Sequence, residues 1–77
     1  MANTNINGHS VNYDDSHERL RHAVKYLKYT LSQNEAEVFF AQAKMKGGES
    51  IHFEDDNRTN LKLKRVDGEY TLGISGL

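Results

Sequence analysis

Residues 61–74 read LKLKRVDGEYTLGI, and this stretch decides the fold. On both sides of the Asp67-Gly68 pair, apolar and polar residues alternate, which is the pattern of a strand with one buried face. Asp-Gly favours a two-residue type I′ turn, and a turn of that length sets the register of the two strands. The predicted cross-strand pairs are Val66 with Glu69, Arg65 with Tyr70, Leu63 with Leu72, and Leu61 with Ile74. Apolar residues meet on one face, so this part of the chain is predicted to be a β-hairpin.

A further strand precedes this hairpin, because Ile51 and Phe53 alternate with polar residues. Pairing Phe53 with Leu61 keeps the apolar residues of both strands on one face and leaves a loop of odd length. The same register pairs Ile51 with Leu63, and Asn57 is the loop residue expected in the left-handed conformation. We predict a three-stranded antiparallel meander with strands at about residues 50–55, 59–66 and 69–75.

The first helix is predicted from a start signal and an apolar stripe. Asp15 can accept hydrogen bonds from the first free amides of a helix, and Glu18 three residues later completes a capping box. The apolar residues that follow fall on one face of a helix: Leu20, Ala23, Val24, Leu27 and Leu31. We predict a helix over about residues 15–31 with this stripe in the core.

A second helix is predicted after a break at Ser32. Ser32 and Glu35 form another capping box, and serine favours a cap over a helix interior. The core face carries Ala36, Phe39, Phe40 and Ala43. A Gly-Gly pair can end this helix, which gives about residues 33–46. Without the break, residues 15–46 would form one rod of about 48 Å, which a chain this short covers only by forming a dimer.

Length and composition indicate one domain. The chain has 77 residues, of which 36% are hydrophobic and 27% charged, as in folded globular proteins. Two helices followed by an antiparallel sheet make an α+β domain over residues 1–77. Residues 1–12 are mostly polar, with an Asn7-Gly8 pair of the type that turns a hairpin. For residues 1–12 two interpretations stay open, a short strand at the sheet edge or a flexible arm.

Composition disfavours several classes of protein. Without cysteine there is no disulfide framework and no thiolate metal site. No secretion signal or membrane-spanning run is recognised, so we expect a small soluble cytoplasmic protein with no membrane partner. Ten basic and eleven acidic residues give a net charge of −1, so the whole chain has no field that attracts nucleic acid.

Residues with catalytic or metal-binding chemistry are sparse. The histidines are His9, His17, His22 and His52. His17 and His22 lie about 140° apart around a helix axis, so they cannot hold one metal ion from a single face. Adjacent aspartates occur where caps and turns favour aspartate. We expect no catalytic residue, no cofactor and no metal site, and therefore not an enzyme.

A second apolar stripe on helix 2 is the most informative feature for function. Val38, Ala41 and Met45 lie roughly opposite the core face, so the helix is apolar around most of its circumference. The interpretation we favour places helix 2 between helix 1 and the sheet. The other leaves the stripe for a protein partner, including a second copy of the chain. We expect a non-enzymatic protein-interaction module, an adaptor, regulator or inhibitor, with these three residues as interface candidates.

The alternative function is nucleic-acid binding. Arg21, Lys25 and Lys28 lie on one flank of helix 1, and Lys62 and Lys64 lie on the polar face of the second strand. If these two elements adjoin, their cations would contact phosphates, and the affinity would fall steeply with salt.

Overall fold

The computed structural model describes residues 1–75, which form a mixed five-stranded sheet and two helices. The strands are β1 (Ala2–Ile6), β2 (His9–Tyr13), β3 (Ile51–Glu54), β4 (Asn60–Val66) and β5 (Glu69–Ile74). The helices are α1 (Glu18–Lys25) and α2 (Gln33–Met45), and a π-helical turn over Tyr26–Thr30 extends α1. The predicted α+β class is confirmed.

The register of the two C-terminal hairpins is as predicted. The observed pairs include Val66 with Glu69, Arg65 with Tyr70, Leu63 with Leu72, Leu61 with Ile74, Phe53 with Leu61, and Ile51 with Leu63. Asp67 and Gly68 have φ angles of 53° and 81°, the positive values that a type I′ turn requires. Turn chemistry and apolar alternation therefore specify the same pairing.

The loop between β3 and β4 is built around a buried aspartate. Asp55 is 6% exposed, and its Oδ1 accepts hydrogen bonds from the backbone N–H groups of Asn57 and Thr59, each at 2.9 Å. The left-handed residue in this loop is Arg58, with a φ of 57°, so the prediction of Asn57 is wrong. The Asp55 side chain, rather than the φ preference of asparagine, sets the shape of the turn.

The predicted three-stranded meander is wrong in extent, because the N-terminal region adds two strands. β1 and β2 form a hairpin around Asn7 and Gly8, whose φ angles are 55° and 83°. β2 runs parallel to β5, with Val11 beside Tyr70, and the strand order is β1-β2-β5-β4-β3. Ile6 and Val11, 1% and 0% exposed, hold this hairpin on the core. A parallel pair joins strands far apart in the chain, so no local pattern reveals it.

The first helix begins at Glu18, so the predicted capping box at Asp15 is wrong. His17 is the N-cap residue, and its side chain makes no cap hydrogen bond. Asp14 instead accepts hydrogen bonds from the hydroxyl and the backbone N–H of Ser16, at 2.6 and 3.0 Å, and these bonds lower the pKa of Asp14. Asp14 therefore stabilises the turn between β2 and α1 and does not cap the helix.

The predicted break between the helices is confirmed at Ser32. Leu31 is extended, with φ −82° and ψ 148°, so one continuous rod is excluded. The Glu35 carboxylate accepts a hydrogen bond from the Ser32 N–H at 2.9 Å, and Ser32 Oγ accepts one from the Glu35 N–H at 3.2 Å. The bond to the carboxylate lowers the pKa of Glu35. This reciprocal capping box starts α2.

The core lies between one face of the sheet and the two helices. Its buried side chains are Ile6, Val11, Leu20, Ala23, Val24, Leu27, Ala36, Phe40, Ala43, Ile51, Leu61, Leu63, Tyr70 and Leu72. Phe40 is 0% exposed and meets Tyr70 edge to face, with ring centroids 4.9 Å apart. Along the strands these residues alternate with polar ones, so the opposite sheet face is polar.

Alkaline pH is expected to destabilise the fold through Tyr70. Its hydroxyl donates to the Phe40 carbonyl at 3.2 Å, and burial raises the pKa of Tyr70 above its ordinary value of about 10. Because the unfolded chain loses this proton first, the free energy of unfolding is unaffected below about pH 10 and falls as pH rises further. Urea unfolding at stepped pH measures this fall. Tyr70→Phe should make the fall less steep, and an equally steep fall in the variant would contradict the assignment.

Candidate functional site

The solvent-facing side of α2 carries an apolar stripe, which we define as Val38, Ala41 and Met45. Val38 is 52% exposed and Met45 is 86% exposed, and Ala41 between them is also exposed. The expectation that α2 lies between α1 and the sheet is wrong. The helices form a single layer, in which α2 packs on β4 and β3 while α1 packs on β5, so neither covers the outer side of the other. The stripe is open to solvent on the described chain.

A shallow groove continues the stripe at its C-terminal end. Gln42, Met45, Lys46 and Ile51 line a volume of about 360 Å³ between α2 and the start of β3. Ile51 is 7% exposed, so the floor of the groove belongs to the core, while the Met45 side chain forms an open wall. Methionine is flexible and polarisable, which suits a surface that adapts to an incoming apolar group.

Opposite charges flank the two halves of the stripe. Glu35 and Glu37 lie in the N-terminal half of α2, and Lys44 and Lys46 lie at its C-terminal end. This distribution matches the helix dipole, which favours anions at the N-terminus and cations at the C-terminus. Glu37 also contacts His9 Nε2 through both carboxylate oxygens, at 2.9 and 3.0 Å. The surface around the stripe is therefore electrically polarised along the helix.

The basic residues of α1 and its π-helical turn lie beside β1. Lys28 Nζ donates to Thr4 Oγ1 at 2.8 Å, and Arg21 Nη1 donates to the carbonyl of Asp15 at 2.8 Å. Lys25 is exposed on the same flank. Two of these three cations are therefore held by contacts within the chain.

Lys62 and Lys64 lie on the opposite face of the sheet from the helices. In β4 they alternate with the buried Leu61 and Leu63, and both lysines are exposed. β4 and β1 are separated by two strands, so the two basic groups are about 14 Å apart across the sheet as well as on different faces. The structure does not bring the candidate nucleic-acid residues into one patch.

A cluster that the sequence analysis did not predict joins α1 to the loop between β3 and β4. His22 Nε2 lies 2.7 Å from Asp56 Oδ1, and one ligand atom each from His22, Asp55 and Asp56 lie within 4.8 Å of one another. Burial and the charges of Asp56 and Asp55 raise the pKa of Tyr26, one turn after His22. His22 and Asp56 are far apart in sequence, and neither sits in a motif, so only the fold reveals the pair.

Two other histidines also contact residues that are far apart from them in the sequence. His52 Nδ1 lies 2.8 Å from Ser75 Oγ on the outer sheet face, and the His9 ring packs 4.6 Å from the Phe40 ring. The contacts of His9, His22 and His52 hold together segments that are far apart in the sequence, which is a structural role.

Comparisons with protein families, with curated proteins and with solved structures find no match for this chain. The stripe and its flanking charges are therefore interpreted from their own geometry.

None of the helices within residues 1–75 has the length and apolar character needed to cross a membrane.

Proposed function

We propose that this chain is a small non-enzymatic protein-interaction module that binds a protein partner through the stripe of Val38, Ala41 and Met45. The observation that carries the proposal is the exposure of Val38 and Met45, 52% and 86%, on a helix whose other side is buried in the core. Burying such side chains stabilises a complex by roughly 25 cal/mol for each Å² of apolar surface removed from water. An adaptor, a regulator or an inhibitor would use this surface in the same way.

The shape and chemistry of the surface support a protein rather than a small molecule as the ligand. Small-molecule sites are concave and enclose most of their ligand. The stripe is instead a convex helix face with a shallow groove at one end and charges of both signs along its sides. An apolar centre with a polar rim is the arrangement of protein interfaces.

Site-specific photo-crosslinking tests the proposal. With p-benzoylphenylalanine in place of Val38, we expect a crosslinked product of discrete mass in extract from cells that express the chain. The same label in place of Lys64, which is exposed on the opposite face, is the matched control. Adding Met45→Glu to the labelled chain should reduce the yield about tenfold, because a charge in an apolar interface costs well over 1 kcal/mol. Equal yields from the two labelled positions would show that the stripe binds no protein.

Nucleic-acid binding stays the alternative proposal, with weaker support from the positions of Arg21, Lys25, Lys28, Lys62 and Lys64. Two separate basic groups on different sheet faces contact one phosphate backbone less effectively than a single stripe of cations. A binding measurement with DNA and RNA at low salt tests it, because phosphate contacts are strongest there. No detectable binding under those conditions would remove this alternative.

A further inference from the structure

We propose that the partner of the stripe is a second copy of this chain, packed antiparallel along α2 about a two-fold axis that passes between Val38 and Ala41. The inference rests on the proposed function, since it names the partner of the same surface.

The spacing of the exposed residues favours helix-on-helix packing. Asn34, Val38, Ala41 and Met45 are separated by four, three and four residues, the repeat with which two helices interlock. At about 100° per residue, Val38, Ala41 and Met45 fall within roughly 60° of arc, directly opposite the core face of α2. In the antiparallel arrangement Val38 of each copy packs against Ala41 of the other. The small alanine side chain allows the two helix axes to approach closely.

The charges beside the stripe select the antiparallel direction. Glu37 and Lys44 lie seven residues apart and therefore on the same flank of α2. An antiparallel pair places Glu37 beside Lys44 of the second copy, and the two-fold axis forms this contact twice. A parallel pair would place the acidic N-terminal halves side by side, where like charges repel. The helix dipoles are also opposed only in the antiparallel pair.

The existing contact of Glu37 does not prevent this pairing. The carboxylate accepts from His9 Nε2, which is one donor, and an ionised carboxylate can accept about four hydrogen bonds. At the other end, the groove formed by Gln42, Met45, Lys46 and Ile51 lies where the start of the second copy's α2 would rest. The antiparallel arrangement therefore accommodates both the contact of Glu37 with His9 and the groove at the C-terminal end of the stripe.

A single helix pair gives a small interface. α2 has 13 residues and is about 20 Å long, so the area buried is below that of a standard stable interface. We therefore expect reversible dimers, half formed at roughly 10–100 µM protein, which corresponds to a dissociation constant of tens of micromolar.

Sedimentation velocity over about 5 µM to 1 mM protein at low salt tests the proposal, with far-ultraviolet circular dichroism to verify folding of each variant. Lys44→Glu should raise the dimer dissociation constant at least about tenfold, because the variant places Glu37 beside a carboxylate in both symmetric contacts. Glu37→Lys combined with Lys44→Glu reverses both members of the pair and should restore dimerisation. Lys64→Glu, the same charge change on the opposite sheet face, is the control and should leave the dissociation constant unchanged.

Two results would overturn the dimer. One is a wild-type monomer at every concentration; the other is a doubly substituted chain no better than Lys44→Glu alone, which would show that the charges do not pair antiparallel. The outcomes also separate this inference from the proposed function. A monomeric chain that still crosslinks from position 38 to a different protein keeps the interaction module and rejects the second copy. A chain that neither dimerises nor crosslinks rejects both.

Discussion

Replacing Phe40 with alanine is expected to lower the free energy of unfolding by about 3–5 kcal/mol. The ring is 0% exposed and packs against Tyr70 at 4.9 Å and His9 at 4.6 Å, so its removal leaves a cavity that three elements line. A folded chain of this length has roughly 4–12 kcal/mol of stability in total. We therefore expect Phe40→Ala to lose a large share of this stability, which urea denaturation followed by circular dichroism would show as a lower midpoint.

Val38→Ala on the same helix is the matched control for Phe40→Ala. Val38 is 52% exposed on the solvent-facing side of α2. Its truncation should therefore change the free energy of unfolding by less than about 0.5 kcal/mol. Alanine also has a higher helix propensity than valine, which acts in the stabilising direction. Similar losses in the two variants would mean that α2 is buried on both sides, contrary to the fold described above.

Replacing Ile6 with aspartate is expected to unfold the protein or to cost more than about 4 kcal/mol. Ile6 is 1% exposed at the end of β1, and the substitution removes its apolar contacts and places a carboxylate in the core. The expected result is a collapse of thermal stability, measured by the midpoint of thermal unfolding. A wild-type midpoint would mean that the N-terminal hairpin is a flexible arm.

Asn5→Asp is the control for Ile6→Asp, because it adds the same charge at the adjacent residue. Asn5 is exposed, and its Oδ1 accepts a hydrogen bond from the Gly8 N–H at 2.9 Å, which an aspartate oxygen can also accept. We expect its midpoint to stay within a few degrees of the wild-type value. Comparing the two variants separates the cost of burying a carboxylate from the effect of adding its charge.

Two local features of this fold, the β4–β5 hairpin and the start of α2, could be predicted from the sequence. Asp67-Gly68 and the apolar alternation around it define the β4–β5 hairpin, and Ser32 with Glu35 defines the start of α2. Both signals act within a few residues, so contacts with distant parts of the chain did not alter the local structure that they specify. The turn at Asn7 and Gly8 was also visible, although the short flanking runs did not show that β1 and β2 join the sheet.

The parts that depend on contacts between distant segments could not be predicted. The parallel pairing of β2 with β5 and the pair of His22 with Asp56 join residues with no shared sequence pattern. The candidate interface residues Val38 and Met45 were recognisable as a second apolar stripe. Whether another element covers that stripe depends on how the helices are layered, which periodicity alone does not determine.

The position of β5 between β2 and β4 has a consequence for how the chain folds. The N-terminal hairpin and the hairpin of β3 and β4 share no edge, so neither can join the other until β5 is inserted between them. During synthesis on a ribosome, the two hairpins would therefore remain incompletely paired until the strand over Glu69–Ile74 has left the ribosome. Pairing β2 with β5 requires closing a long loop, and the entropy of that loop is lost before the new contacts compensate for it. We therefore expect slow, strongly cooperative folding for a chain of this size. Unpaired strand edges persist during that interval, and they are where intermolecular misassembly would begin.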